Sequence, residues 1–247
     1  MRKLSLAPII KKMKRLFTNI ILFTVTVSAF GQQTFGIKIN AGLSYLKTER
    51  VTYPPMPETQ KFYSSFSGQG GLTYSYSFNS KFQIGTELLY TQIEGKEVLN
   101  ALSGVLTNNT FISDGHYEID TYRHIYYLGL PIYVGYNFNK LNINLGIQGN
   151  FKLGGSSHWN TNSIYNNGAT DSYESESKKL DLNKLDYGLR FGVFYKLNEK
   201  YSIETNYYHG LSDIVNGGLI SGSPVWSVQQ LTVGIKYNLL ELNKKKE

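Results

Sequence analysis

From Phe35 onward, apolar and polar residues alternate with period two, the period that sends successive side chains to opposite faces of a β-strand. One parity reads Phe35, Ile37, Ile39, Ala41, Leu43 and Tyr45, and the pattern recurs over 66–78, 82–90, 126–138, 141–153, 187–197, 201–211 and 231–239. It is clearest in the fourth segment, where Tyr126, Leu128, Leu130, Ile132, Val134, Tyr136 and Phe138 follow without a break. The pattern predicts eight strands. Across all eight, the apolar parity contains no Lys, Arg, Asp or Glu, and His209 is its sole ionisable residue. The opposite parity carries Lys38, Glu87, Lys152, Arg190, Lys196, Glu204 and Lys236, together with many glycines. One face suits hydrocarbon and the other a crowded polar interior.

The connections alternate between short and long. Residues 79–81, 139–140 and 198–200 are hairpin-length turns, each containing Asn and Lys, which join antiparallel neighbours. The others are long, around 47–65, 91–125, 154–186 and 212–230. An even number of strands, tight turns at one rim and long loops at the other predict an all-β fold: an eight-stranded antiparallel up-and-down transmembrane β-barrel. Aromatic residues fall where such strands cross the two interfaces. Phe78, Phe82, Tyr136, Phe138, Tyr195, Tyr201 and Tyr237 lie beside the short turns, and Tyr45, Tyr90, Tyr126, Tyr187 and Tyr207 lie toward the loops. Within a strand the two sets are commonly eight to ten residues apart. That separation spans about 20–25 Å along the membrane normal at ~3.3 Å rise and ~40° tilt, the height of a lipid-facing band. A soluble barrel with the apolar face turned inward is the competing architecture. Its outer surface would then be the glycine-rich polar parity, which is poor in charge for a surface in water.

Charge and composition alter the picture at the N-terminus. The net charge is +7, but six of the 25 basic residues (Arg2, Lys3, Lys11, Lys12, Lys14 and Arg15) precede residue 32, leaving 19 against 18 acids. The basic balance therefore belongs to a leader, and a nucleic-acid partner is not indicated. Basic residues 11–15, an apolar stretch over 16–30 and small residues at Ala29 and Gly31 match a secretory signal peptide cleaved after Gly31. At 1.5 Å rise the apolar stretch covers only about 22 Å, short of a membrane-spanning helix. The start is Met1 or Met13. The expected organisation is a signal peptide over 1–31, an outer-membrane barrel over 32–240 and a charged tail over 241–247. With no cysteine, disulfide and thiolate chemistry are excluded.

The stretch Tyr127-Leu128-Gly129-Leu130-Pro131-Ile132-Tyr133-Val134-Gly135-Tyr136-Asn137-Phe138, with the later Tyr208-His209-Gly210-Leu211-Ser212-Asp213-Ile214, resembles the PorT-like outer-membrane β-barrel family of Bacteroidetes. That resemblance implies an eight-stranded outer-membrane barrel and, for some members, a role in type IX protein secretion. The C-terminus departs from the usual barrel pattern, since charged residues follow the last strand where an aromatic residue would close it.

Eight strands enclose a bore just wide enough for side chains to fill. Lys38, Glu87, Arg190, Glu204 and Lys236 sit near mid-strand on the inward parity. Charges so placed persist when paired, so they are expected to form an interior polar network, with Glu204 between Arg190 and Lys236 and with Lys38 beyond. An ion-conducting constriction is the functional alternative. Pro131, which has no N–H to donate, predicts a bulge or a missing ladder bond in the fourth strand. Catalysis is not expected, because His209 and Ser212 point to opposite faces. His116, His124 and His158 lack the spacing of a zinc site, and neither metal nor cofactor is indicated. Binding would then reside in the long loops. The expected function is a non-enzymatic, plugged barrel in the outer membrane. Its partners would be membrane lipid and, through its loops, other envelope or secretion proteins. A monomer is the default, and a narrow porin for small solutes is the alternative.

Overall fold

A computed structural model describes residues 31–49, 58–107, 110–177, 180, 182–214 and 225–242; the expected signal peptide, apart from residue 31, and residues 243–247 lie outside these residues. The described chain is antiparallel β throughout: β1 (Gln32–Glu49), β2 (Glu58–Ser77), β3 (Phe82–Thr107), β4 (Thr110–Phe138), β5 (Leu141–Tyr165), β6 (Thr170–Ser177), β7 (Leu185–Lys196), β8 (Tyr201–Gly210) and β9 (Val225–Leu242). Strand order runs β4-β3-β2-β1-β9-β8-β7-β5, and β4 pairs with β5 to close the ring. Eight strands form the barrel. The ninth, β6, pairs with β5 alone among the described residues and stands outside the ring.

The short turns are built by asparagine. Asn79 Oδ1 accepts from the backbone N–H groups of Lys81 and Phe82, each at 2.8 Å, and Asn198 Oδ1 accepts from Lys200 and Tyr201 at 2.9 and 2.8 Å. These side chains supply the turn hydrogen bonds that a two- or three-residue connection needs. Asn139 takes φ of 55°, the left-handed conformation that a two-residue hairpin requires and asparagine tolerates.

Alternation assigns the faces. Ile39, Leu72, Val134, Leu145, Ile147 and Val233 all face outward and are more than half exposed, a surface that only lipid can cover favourably. The inward parity is buried, with Lys38, Asn40, Thr73, Glu87, Asn144, Gln148, Asn150, Arg190, Glu204 and Thr232 at 7% exposure or less. Glycines on that parity make room for them. A Cβ at Gly192 would lie 2.6 Å from the Asn144 amide and 2.8 Å from Asn206 Oδ1, so this position keeps space for polar side chains that meet across the bore.

Three local features differ from simple alternation. Opposite Pro131 the β3–β4 ladder lapses between Thr86–Ile132 and Leu89–Gly129 and resumes in unchanged register, so the proline removes ladder bonds without a bulge. The Thr86 hydroxyl donates to the Pro131 carbonyl at 2.9 Å. A register shift between Phe35 and Gly36 carries β9 past residue 240, so that Glu241 and Leu242 pair with Thr34 and Gln33 and belong to the strand, not to a tail. Tyr76 lies on the outward parity, yet it is 6% exposed and packs against Phe78 with ring centroids 4.9 Å apart.

The long connections are the largest correction. Most of the described residues in 91–125 and 154–186 are strand: β3 and β4 remain paired from Phe82–Tyr136 out to Thr107–Thr110, and β5 continues to Tyr165 before turning into β6. Beyond Tyr90, β3 adds 17 residues, roughly 55 Å of strand at ~3.3 Å per residue. β2 joins through pairs from Glu58–Ala101 to Ser64–Gly95, so β2, β3, β4, β5 and β6 form a five-stranded sheet above the membrane band. Bulges mark where this sheet leaves the barrel, between Ser64 and Ser67 in β2 and at Tyr126/Tyr127 in β4. Ser44 stitches the first of them, donating to the Glu94 carbonyl at 2.6 Å while accepting from the Glu94 N–H at 3.1 Å.

Candidate functional site: the filled bore and the extracellular sheet

The middle of the bore is crossed by ion pairs. Lys38 on β1 lies 2.8 Å from Glu87 on β3 and 2.6 Å from Glu204 on β8, with all three side chains fully buried. Arg190 on β7 reaches Glu87 at 3.1 Å and donates to Asn206 Oδ1 at 2.6 Å. Asn40 and Asn206 donate to Glu204 at 2.6 and 3.0 Å. The Arg190 guanidinium also lies over the Tyr133 ring, 5.0 Å from its centroid. These ion pairs join non-adjacent strands, β1 with β3 and β8 and β7 with β3, so they run through the bore and not along one ladder. Glu204 therefore meets Lys38, and Arg190 meets Glu87, in place of the neighbour-strand order Arg190–Glu204–Lys236. Lys236, the fifth inward charge, makes no ion pair among the described residues; its ammonium sits 5.7 Å from the Phe194 ring centroid.

Toward the extracellular end lies a second polar cluster that sequence inspection missed. Asp186 is fully buried and accepts from Asn150 at 3.0 Å, Tyr208 at 2.7 Å and Ser212 at 2.6 Å. Asp186 fell at the end of a segment read as a loop, although the parity of Tyr187 already points its predecessor inward. Ser212 is thus a structural donor, and its Oγ also accepts from the Tyr187 N–H at 3.0 Å. His209 is on the opposite parity, within hydrogen-bond distance of the Tyr207 hydroxyl at 3.2 Å.

Above this cluster the mouth is sealed by apolar side chains. Leu182 and Ile214, from the segments flanking β7 and β8, join Leu46, Ile93, Ile125, Tyr127, Tyr208 and Val228, with Leu180 and Trp226 packed against them. Backbone and side-chain bonds hold these segments down. The Lys152 ammonium donates to the carbonyls of Leu180 and Leu182 at 3.0 and 2.8 Å, Asn183 N–H donates to the Ile214 carbonyl at 2.8 Å, and Ile214 N–H donates to that of Trp226 at 3.0 Å. Trp226 in turn lies under Arg123, whose guanidinium is 4.3 Å from the ring centroid and 2.7 Å from Glu97.

None of the twelve interfacial aromatics is buried in the bore. Near the short turns Phe82 and Tyr136 stack edge-on at 5.0 Å, Tyr136 and Phe138 meet at 4.4 Å, and Tyr201 and Tyr237 meet at 5.0 Å; Phe78 and Tyr195 are about half exposed. At the other rim Tyr90 and Tyr126 stack at 6.2 Å, Tyr45 meets Phe62 at 6.2 Å, and Tyr187 and Tyr207 face outward.

Beyond that rim the outer parity becomes charged. Lys96 pairs with Asp120 at 3.0 Å and lies over Tyr122, and these two neighbours hold the Lys96 ammonium protonated above the usual lysine range. His124 lies 3.3 Å from Glu94, and His158 lies 2.9 Å from Glu174. A groove of about 580 Å³ on the same face is lined by Asn100, His116, Glu118, Asn162 and Asp171, among others. His116 and His158 thus join polar surfaces on the sheet.

A closed eight-stranded ring with an apolar exterior, two aromatic rims and a bore filled by paired charges defines a transmembrane β-barrel of the outer-membrane class. The family model described as "Outer membrane protein beta-barrel domain" matches residues 30–216, and the chain belongs to that family. No curated protein matches. Solved structures with a similar fold include Neisserial surface protein A (10% identity, 84% of this chain and 98% of that one, TM-score 0.37). They also include the attachment invasion locus protein Ail of Yersinia pestis bound to the heparin analogue sucrose octasulfate (13%, 84% and 98%, 0.35) and OprG of Pseudomonas aeruginosa (14%, 84% and 95%, 0.33). The protein resides in the outer membrane.

Proposed function

We propose that this is a non-enzymatic, non-conducting barrel whose bore is plugged by its own side chains, and whose working part is the five-stranded extracellular sheet, which binds a partner. The observation that carries this is the division of the molecule at the outer aromatic rim. Below it, Lys38, Glu87, Arg190 and Glu204 are tied into bonds that cross the bore; above it, the chain spends long paired segments of β2–β6 on a structure that the membrane does not need. Long ordered projections on a rigid scaffold are where recognition resides. The free edge of the sheet is β6, which carries Asp171, Glu174 and Glu176. Acids on an open edge discourage pairing with a second copy and favour a cationic extended segment. The PorT-like resemblance suggests envelope or type IX secretion components as the class of partner. Surface shielding by the sheet, without a partner, is the second possibility.

The expected result with a photo-crosslinking residue in place of Tyr173, which is 66% exposed on β6, is an adduct of discrete mass on intact cells. A variant in which residues 98–120 are replaced by a tight turn, closing the β3–β4 hairpin at the Glu97–Thr121 pair, should still show heat-dependent gel mobility but lose the adduct. An adduct that survives this truncation, or none from Tyr173 and other exposed positions on the sheet, would contradict partner binding.

A further inference from the structure

The inward charges at the centre of the barrel are unequal: Lys38, Arg190 and Lys236 face two carboxylates, Glu87 and Glu204. Lys38 engages both carboxylates, and Arg190 engages Glu87. Lys236 is 8% exposed and, among the described residues, makes neither an ion pair nor a hydrogen bond. A cation this deeply placed is costly without an anion.

Strand register places a second cation beside it. Lys236 on β9 is directly opposite Ser202 on β8, and Ser202 is directly opposite Lys196 on β7. On the far side Lys236 is opposite Lys38. Cβ atoms of residues opposed in this way lie ~4.5–5.5 Å apart. Two lysines therefore flank one serine on three adjacent strands. The row opens into a vestibule of about 500 Å³ at the short-turn end of the barrel, where Lys236, Ser202 and Lys196 are joined by Lys140 and Asn142. Two carboxylates, Glu199 and Glu241, also line this vestibule, and Glu241 accepts from Gln32 at 3.2 Å.

We propose that the vestibule binds a small oxyanion, a phosphate or carboxylate group arriving from the periplasmic side, held between Lys236 and Lys196 with the Ser202 hydroxyl donating to it. Lys236 supplies the buried charge, and Lys196 at the rim supplies attraction and closure. The same chemistry is carried by free periplasmic anions and by phospholipid headgroups.

The test is calorimetric titration of the folded barrel in nonionic detergent, once with inorganic phosphate and once with dihexanoylphosphatidylglycerol as a headgroup probe. Saturable binding near one equivalent is expected for at least one probe, weakened tenfold or more by Lys236→Met and retained within a few-fold by Lys236→Arg. Phosphate binding alone assigns a free anion as the ligand, and tighter binding of the lipid probe assigns the headgroup. Should Lys236→Met not fold, Lys196→Met, which alters only the exposed rim, is expected to weaken binding at least threefold. No binding of either probe by the unaltered protein overturns the proposal, as does affinity unchanged by Lys236→Met or, in its place, by Lys196→Met.

Discussion

Glu87→Gln is expected to destabilise the folded barrel by about 3–5 kcal/mol, the range for removing one partner of a buried ion pair. Glu87 is the carboxylate that serves two cations, Lys38 at 2.8 Å and Arg190 at 3.1 Å, and both remain in the bore when its charge is lost. Glutamine keeps the shape and can still accept a hydrogen bond, so the change isolates the charge. Glu204→Gln should cost less, because Lys38 retains Glu87 and the two asparagine donors at Glu204 can bond to an amide oxygen. Urea titration of folding into phospholipid vesicles measures both variants. A loss under about 0.5 kcal/mol for Glu87→Gln would mean that water reaches these charges and that the bore is not filled as described.

Ile214→Asp is the second large effect. Ile214 is fully buried in the apolar seal, and its N–H donates to the Trp226 carbonyl while its own carbonyl accepts from Asn183. An aspartate there places a carboxylate among Leu182, Ile125 and Val228, with about 3 kcal/mol or more lost from the closed seal. Because the segment lies outside the ladder of the ring, the expected outcome is local release with the barrel still folded. Hydrogen exchange at the amides of Asn183 and residue 214 should accelerate by roughly 100-fold or more, with mid-barrel amides such as Arg190 unchanged. Unchanged protection at these two amides would show that the seal does not depend on Ile214.

The parts of the fold that were legible in the sequence are those where a membrane enforces contrast. In the spans, Leu128 and Leu130 must meet lipid while Tyr127 and Gly129 must not, so parity survives in the residue types. The short turns were legible because asparagine supplies their hydrogen bonds. The extracellular sheet was not, because polar and apolar residues share each of its faces: Glu97 is buried with Leu99 and Ala101 on one face, while Val98, flanked by Lys96 and Asn100, is buried on the other. Parity also found the inward charges, yet it could not show which of them meet. Partners across a bore are set by how far each side chain reaches over the diameter, and strand order alone gives only neighbours. Arg190 therefore pairs with Glu87 three strands away, and Lys236 lines the vestibule. Asp186 was missed for a different reason: its segment read as a loop, although its donors Asn150, Tyr208 and Ser212 come from the neighbouring strands β5 and β8 and the segment that follows β8.

The central claim is that the barrel is closed along its length, by ion pairs at mid-bore and by the apolar seal at the mouth. Single-channel recording of residues 32–247, folded in detergent and inserted into a planar bilayer, tests it most directly. The account predicts a silent membrane after insertion is confirmed by heat-dependent gel mobility of the reconstituted protein. Steady conductance from the unaltered barrel, blocked by crosslinking across the bore, would contradict it and make the protein a narrow porin.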